Sequence, residues 1–240
     1  MINRITIQAY QVGLVFGKGK LINVLEAGSY WIFGNKQVHI YEMKQSFVAP
    51  IELTILLQNE KLASLLEVIE IADNEIALYY VNGMFKEVLT TGRYAFWKGY
   101  LDNAFTKIDL SKVEITEVVP VALLENIKVR AYTRKYQVLN FEKGLLFVNG
   151  AFVKELAAGN YYFWNNAIPI EVKNVDIRQQ QMEIAGQELL TKDKATLRIN
   201  FFVRYQVIDA VKALVNNKEY DKQLYVLMQL ALRADRKSVV

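Results

Sequence analysis

The stretch Gly144-Leu145-Leu146-Phe147-Val148-Asn149-Gly150-Ala151-Phe152-Val153-Lys154-Glu155-Leu156-Ala157-Ala158-Gly159-Asn160-Tyr161-Tyr162-Phe163-Trp164 decides the fold. Asn149-Gly150 stands between two apolar and aromatic runs. Asn-Gly at such a place is the strongest short signal for a β-hairpin, because a type I′ turn needs positive φ at both central residues. Gly159, just after the return strand, predicts a second positive-φ turn ahead of a third strand carrying Tyr161 and Trp164. The stretch therefore reads as a small antiparallel meander.

The same pattern stands at Gly19, Gly83 and Gly150, with periods of 64 and 67 residues. Six residues before each lies Gly13, Ala77 or Gly144, and three before lies Phe16, Tyr80 or Phe147. Six after come Leu25, Leu89 and Leu156, then Gly28, Gly92 and Gly159, then Tyr30, Tyr94 and Tyr161, then Phe33, Trp97 and Trp164. The chain therefore carries three copies of one hairpin unit, in which Gly19, Gly28, Gly83, Gly92, Gly150 and Gly159 are structural turn residues. The recurring aromatics read as core packing, with membrane or partner contact as the other reading.

Composition narrows the chemistry. A chain of 240 residues that is 52% hydrophobic and 22% charged can bury a sizeable core. With no Cys and a single His, His39, thiolate zinc sites, disulfides, Cys nucleophiles and multi-histidine metal centres are excluded. His39 lies in an alternating strand and reads as structural or surface. No serine occupies a Gly-Xaa-Ser-Xaa-Gly or Ser-Xaa-Xaa-Lys setting. Residues 13–20 superficially look like a phosphate loop but are one copy of the hairpin, and Glu67, Glu70, Asp73 and Glu75 read as a solvated strand face. No catalytic residue, cofactor, metal or small-molecule substrate is expected.

A net charge of +4, spread without a basic run, argues against nucleic acid as a partner. The opening run from Ile5 to Tyr10 alternates like a strand and lacks a signal-peptide core. No window reaches the ~18–20 apolar residues of a spanning helix. The expected location is cytoplasmic. The last six residues, 235–240, break the apolar period before them and match one reading frame of a common sequencing adapter. The expectation is that they are a non-native tail on a protein that continues past Ala234.

Between the first two copies, residues 53–68 carry apolar residues at helical spacing, broken by Asn59-Glu60-Lys61, and predict a helix or two short turns. Residues 113–130, rich in Val, Ile and Thr, read as strand with Pro120 at an edge or bulge. Asp209 stands where a helix N-cap belongs, Glu219 or Asp221 is positioned to start the next helix, and Thr191-Lys192-Asp193-Lys194 reads as a hairpin turn.

After Trp164 come Val175-Asp176-Ile177-Arg178, the Thr-Lys-Asp turn at 191–193, Tyr205-Gln206-Val207-Ile208-Asp209, and a helix ending Leu230-Ala231-Leu232-Arg233. With the opening Gly-Leu-Leu-Phe and its aromatic hairpin, these landmarks over residues 133–234 resemble the Band 7 or SPFH family (stomatin, prohibitin, flotillin), most closely its bacterial slipin branch. Where that family usually has Gly-Pro-Gly this chain has Ala157-Ala158-Gly159, and two extra hairpin units stand in place of an apolar N-terminal segment.

The resemblance implies an α+β fold: antiparallel β-rich hairpin or meander repeats followed by an SPFH (Band 7) domain with C-terminal helices. The implied boundaries are 1–50 for hairpin unit one, 51–130 for a helical connector plus unit two, 131–234 for the Band 7-like domain, and 235–240 for the tail. It further implies a non-enzymatic scaffold that forms homo-oligomers and organises membrane patches or partner membrane proteins such as proteases. The apolar stripe of Leu224, Leu227, Met228 and Ala231 reads most simply as the face that docks on the sheet; the resemblance makes it the candidate oligomer face as well and implies a peripheral place at the inner face of the membrane. The alternative reading is a soluble, repeat-built protein-interaction module without membrane association.

Overall fold

Alternating apolar runs closed by Lys-Gly or Asn-Gly turns make this chain antiparallel almost throughout. The computed structural model describes residues 2–190 and 195–235. The first module comprises β1 (Ile2–Ile7), β2 (Gln11–Gly17), β3 (Lys20–Leu25), β4 (Gly28–Phe33) and β5 (Gln37–Glu42). β1 pairs with β4 as a two-stranded ribbon, and β2 pairs with both β3 and β5 as a three-stranded sheet. The second module repeats this scheme with β6 (Leu66–Ile71), β7 (Glu75–Val81), β8 (Met84–Leu89), β9 (Gly92–Trp97) and β10 (Asn103–Asp109). The third does so with β11 (Thr133–Val138), β12 (Glu142–Val148), β13 (Ala151–Leu156), β14 (Gly159–Trp164) and β15 (Ile170–Asp176).

Register agrees residue by residue. Ile7, Ile71 and Val138 stand opposite Gly28, Gly92 and Gly159. Each central hairpin has its irregularity at the same place, after Val15, Tyr79 and Leu146. At the hairpin tips, Lys18, Asn82 and Asn149 have φ of 52°, 50° and 51°, and the following Gly19, Gly83 and Gly150 have 77°, 75° and 76°, the positive pair that a type I′ turn demands.

Ribbon and sheet close on each other within each module, around Ile7, Val15 and Leu25 in the first, Ile71, Ala77 and Leu89 in the second, and Val138, Leu146 and Leu156 in the third. The approach is close: a Cβ on Gly13 would lie 2.9 Å from Ile7 Cδ1, so only a small residue fits there. A further core joins the first two modules. Val12, Leu14 and Val24 of the first sheet meet Ala95 and Trp97 of the second ribbon, with Phe47, Leu56 and Leu62 of the connecting segment filled in between. Each large apolar side chain so buried stabilises by roughly 1.5–3 kcal/mol.

The connectors depart from the sequence expectation in two places. Residues 53–65 form two short helices, α1 (Leu53–Leu56) and α2 (Glu60–Leu65), the second capped by Asn59, whose side chain accepts the Leu62 N–H at 3.0 Å. The expected helical run to residue 68 stops earlier, because Leu66–Val68 are claimed by the ladder to β9. Residues 113–130, expected as strand, instead hold α3 (Val121–Leu124) and α4 (Ile127–Arg130). Pro120 is the N-cap of α3 and the Asn126 side chain accepts the Lys128 N–H at 3.0 Å, so the caps override β-branched propensity. Only Glu114 keeps a bridge, to Phe163.

The chain divides into two compact bodies, Met1–Lys112 with Thr116–Ala131, and Val113–Ile115 with Tyr132–Val240. In the second body a long hairpin, β16 (Gln180–Leu190) with β17 (Thr196–Tyr205), follows the third module. A π-helical turn at Lys212–Asn216 and α5 (Tyr220–Asp235) complete it. Val207, Ala210 and Ala213 cover Leu145 and Val175 of the third sheet. The expected turn at 191–193 and tail residues 236–240 lie outside the described residues; Asp235 is the last residue of α5.

Candidate functional site

The glycines read as turn residues are placed by the backbone alone. Gly19, Gly83 and Gly150 are the hairpin tips, and Gly28, Gly92 and Gly159, with φ of 155°, 147° and 156°, are the first residues of β4, β9 and β14. They aim strands and hold no chemistry of their own.

His39 is exposed and meets the Phe16 ring edge-on at 5.5 Å. Of the acidic cluster, Glu70 pairs with Arg93, and Glu75 accepts the Ala72 N–H at 3.2 Å. Among the described residues no three His, Asp or Glu side chains gather as a metal site, and no helix is long and apolar enough to cross a membrane.

Two exposed apolar surfaces remain. On α5 the expected oligomer face splits. Leu224 and Met228 are half-buried, while Leu227 is 59% exposed and Ala231 is exposed. Val226 and Leu230, at 51% and 54%, join them on the solvent side at a spacing of three and four; the sequence reading named Leu227 and Ala231 but not these two. At the foot of α5 an open cleft of about 460 Å³ is lined by Tyr205, Val207, Ala213, Tyr220, Leu224 and Leu227. Burial pushes the Tyr205 and Tyr220 hydroxyls up from 10.0, and Tyr205 donates to Gln180 Oε1 at 2.8 Å.

Charged side chains shape the approach to α5. Asp209 Oδ1 accepts the Lys212 N–H at 2.8 Å, a capping bond that holds this carboxyl below 3.8. In Val175-Asp176-Ile177-Arg178, the Arg178 guanidinium clamps Asp176 at 3.0 Å from Nε to Oδ1 and stacks 3.8 Å over Phe141. That clamp, the larger cause, also depresses the Asp176 carboxyl, and it fixes the bend that leads from β15 into β16.

The second surface is the outer face of the β1–β4 ribbon. Register places Ile2 opposite Phe33 and Arg4 opposite Trp31. Ile2, Trp31 and Phe33 are 61%, 59% and 58% exposed, and the Arg4 guanidinium lies 5.9 Å from the Trp31 ring. The expectation that the recurring aromatics are core holds for Trp97 and Trp164, at 2% and 0%, and fails for Phe33. Phe33 and Trp97 hold the same place in their modules, but Phe47, Leu56 and Leu62 cover only the second.

The sequence model of the SPFH domain / Band 7 family matches residues 69–234. The chain belongs to this family. The matched span opens in β6, so it takes in the second module as well as the region where the sequence resemblance was drawn. Among curated proteins, the chain is 34% identical over 98 residues to an uncharacterised protein of Methanocaldococcus jannaschii, covering 40% of this chain and 48% of that one. It is 32% identical over 99 residues to a stomatin homolog of Pyrococcus horikoshii, covering 40% and 36%. A stomatin homolog of Pyrococcus abyssi matches equally, at 32% over 99 residues, covering 40% and 35%. The match spans less than half the length of each relative. These relatives are archaeal, so the Band 7 assignment rests on the domain and carries no bacterial origin with it.

Proposed function

We propose that the chain is a non-enzymatic Band 7 scaffold that self-associates and, held peripherally at the inner face of a membrane, organises membrane patches or partner membrane proteins such as proteases. Family membership supports this, since Band 7 and stomatin-like proteins are generally non-enzymatic and membrane-associated. The observation that carries the self-association is the solvent-facing row Val226, Leu227, Leu230 and Ala231 on α5, because contiguous exposed apolar residues mark interaction surfaces. Neither nucleic acid nor a small-molecule substrate has a part in this reading.

The modular half has its own role in the proposal. We infer that the three five-stranded modules are copies of one unit, and that the first extends the scaffold by packing its sheet against the second ribbon, as the core around Phe47 and Trp97 supports. That stacking also favours a second reading, a soluble interaction module built from repeats. Vesicle flotation separates the two: the scaffold floats with lipid, and the soluble module stays at the bottom of the gradient.

A further inference from the structure

We propose that the outer face of the β1–β4 ribbon, formed by Ile2, Arg4, Trp31 and Phe33, is the surface with which the protein rests on an anionic lipid layer. This rests on the membrane reading above and names the residues that make the contact.

In the second module the corresponding face is covered. At the positions of Trp31 and Phe33 the second module has Ala95 and Trp97, only 4% and 2% exposed. Phe47 donates its N–H to Ala95 O at 3.1 Å and, with Leu56 and Leu62, shuts that ribbon from water. On the first ribbon the same positions are large, apolar and open.

Charge and area decide what covers them. The outward positions of the ribbon, Ile2, Arg4 and Thr6 on β1 and Ser29, Trp31 and Phe33 on β4, include no acid. In residues 1–50 both acids are engaged, Glu42 by Lys44 and Glu26 by Lys61. Arg4, Lys18, Lys20 and Lys36 therefore give this module its positive charge. Phe33 runs directly through Gly34 and Asn35 into the exposed Lys36, whose Cγ would lie 3.9 Å from a Cβ on Gly17, next to the exposed Lys18 in sequence.

Three side chains exposed to this degree offer on the order of 400 Å², about half of what each partner gives to a stable protein interface. Pairing with a second copy of the same face would also bring Arg4 groups together with no acid to receive them. A lipid surface requires neither shape complementarity nor a large patch: Trp and Phe enter the headgroup boundary and Lys and Arg meet anionic headgroups.

Tryptophan fluorescence tests this directly, because Trp97 and Trp164 are buried and Trp31 is the exposed indole. Vesicles of phosphatidylcholine mixed with phosphatidylglycerol are expected to shift the emission to the blue and to float the chain, whereas phosphatidylcholine alone does neither. Trp31→Ala combined with Phe33→Ala should weaken flotation roughly tenfold or more, with an unchanged circular dichroism spectrum. Lys18→Gln with Lys36→Gln, which touches no apolar residue, should weaken binding and reduce its salt dependence. If the wild type floats and the aromatic variant floats equally well, this face is not the contact and the membrane reading survives without it. If no vesicle binds the wild type, the membrane reading itself falls. If the aromatic variant changes the mass of the lipid-free protein while vesicles leave Trp31 emission unmoved, the face is a protein interface and the proposal is overturned.

Discussion

A Cβ on Gly144 would lie 2.6 Å from Val138 Cγ2, closer than any real contact, so the last residue of β11 sits where a side chain of β12 would otherwise be. The same relation binds Gly13 to Ile7. The second module carries Ala77 there, fully buried.

Gly144→Ala is therefore expected to destabilise the second body by about 1–3 kcal/mol through overpacking. Ala77→Gly, which relieves no clash, should cost no more than about 1 kcal/mol through backbone entropy. Urea unfolding of the two variants side by side checks the contrast. Equal effects would mean that ribbon and sheet are not in close contact at Gly144.

At the hairpin tip, Gly150 has φ of 76° and open space around its missing Cβ. Gly150→Ala should cost about 1–2 kcal/mol from backbone conformation alone, and Gly150→Asn should cost less, since Asn tolerates the left-handed region. Thermal midpoints that rank Ala below Asn below wild type would agree with a type I′ turn.

Phe33 and Trp97 occupy one position in two modules with opposite exposure. Trp97→Ala is expected to cost about 3–5 kcal/mol, and Phe33→Ala to stay within about 0.5 kcal/mol. Denaturant midpoints measured without lipid decide this; a large loss from Phe33→Ala would mean that something covers the first ribbon.

Acid should weaken the second body through Asp176 and Asp209. Both carboxyls are held below 3.8, Asp176 chiefly by the Arg178 guanidinium and Asp209 chiefly by the Lys212 N–H. A carboxyl with a folded value below its unfolded one contributes its full stability above 3.8 and loses it as pH falls through the lower, folded value. Asp209→Asn keeps an acceptor for the cap, so stability at neutral pH should hold while the decline below 3.8 becomes shallower. Urea midpoints across that range supply the check, and parallel curves for the two proteins would count against the capping role.

What was legible in the sequence was what is local. Asn82-Gly83 and Asn149-Gly150 specify their turns by their own backbone preferences, and even Lys18-Gly19 adopts the same angles. The start of α5 was legible too, although Glu219, at φ 54°, lies just outside the helix and Tyr220 opens it. Residues 113–130 read as strand because β-branched propensity is a statement about pleated, half-buried surfaces, and here Pro120 and Asn126 set helix starts instead. The exposure of Phe33 and the sidedness of α5 were not legible. Both depend on what lies across from the residue, on Phe47 over the second ribbon and β16 beside α5, and not on the residue's own neighbours in sequence.

The central claim is that this Band 7 chain assembles with itself through the exposed face of α5. Light scattering on the eluting protein at micromolar concentration tests it most directly, with Leu227→Asn and Leu230→Asn combined as the comparison. The account predicts a high-mass homo-oligomer for the wild type and a fall toward the single-chain mass for the variant, since each loses a half-exposed apolar side chain from the contact. A monodisperse monomer for the wild type, or an oligomer that the double substitution leaves intact, would contradict it.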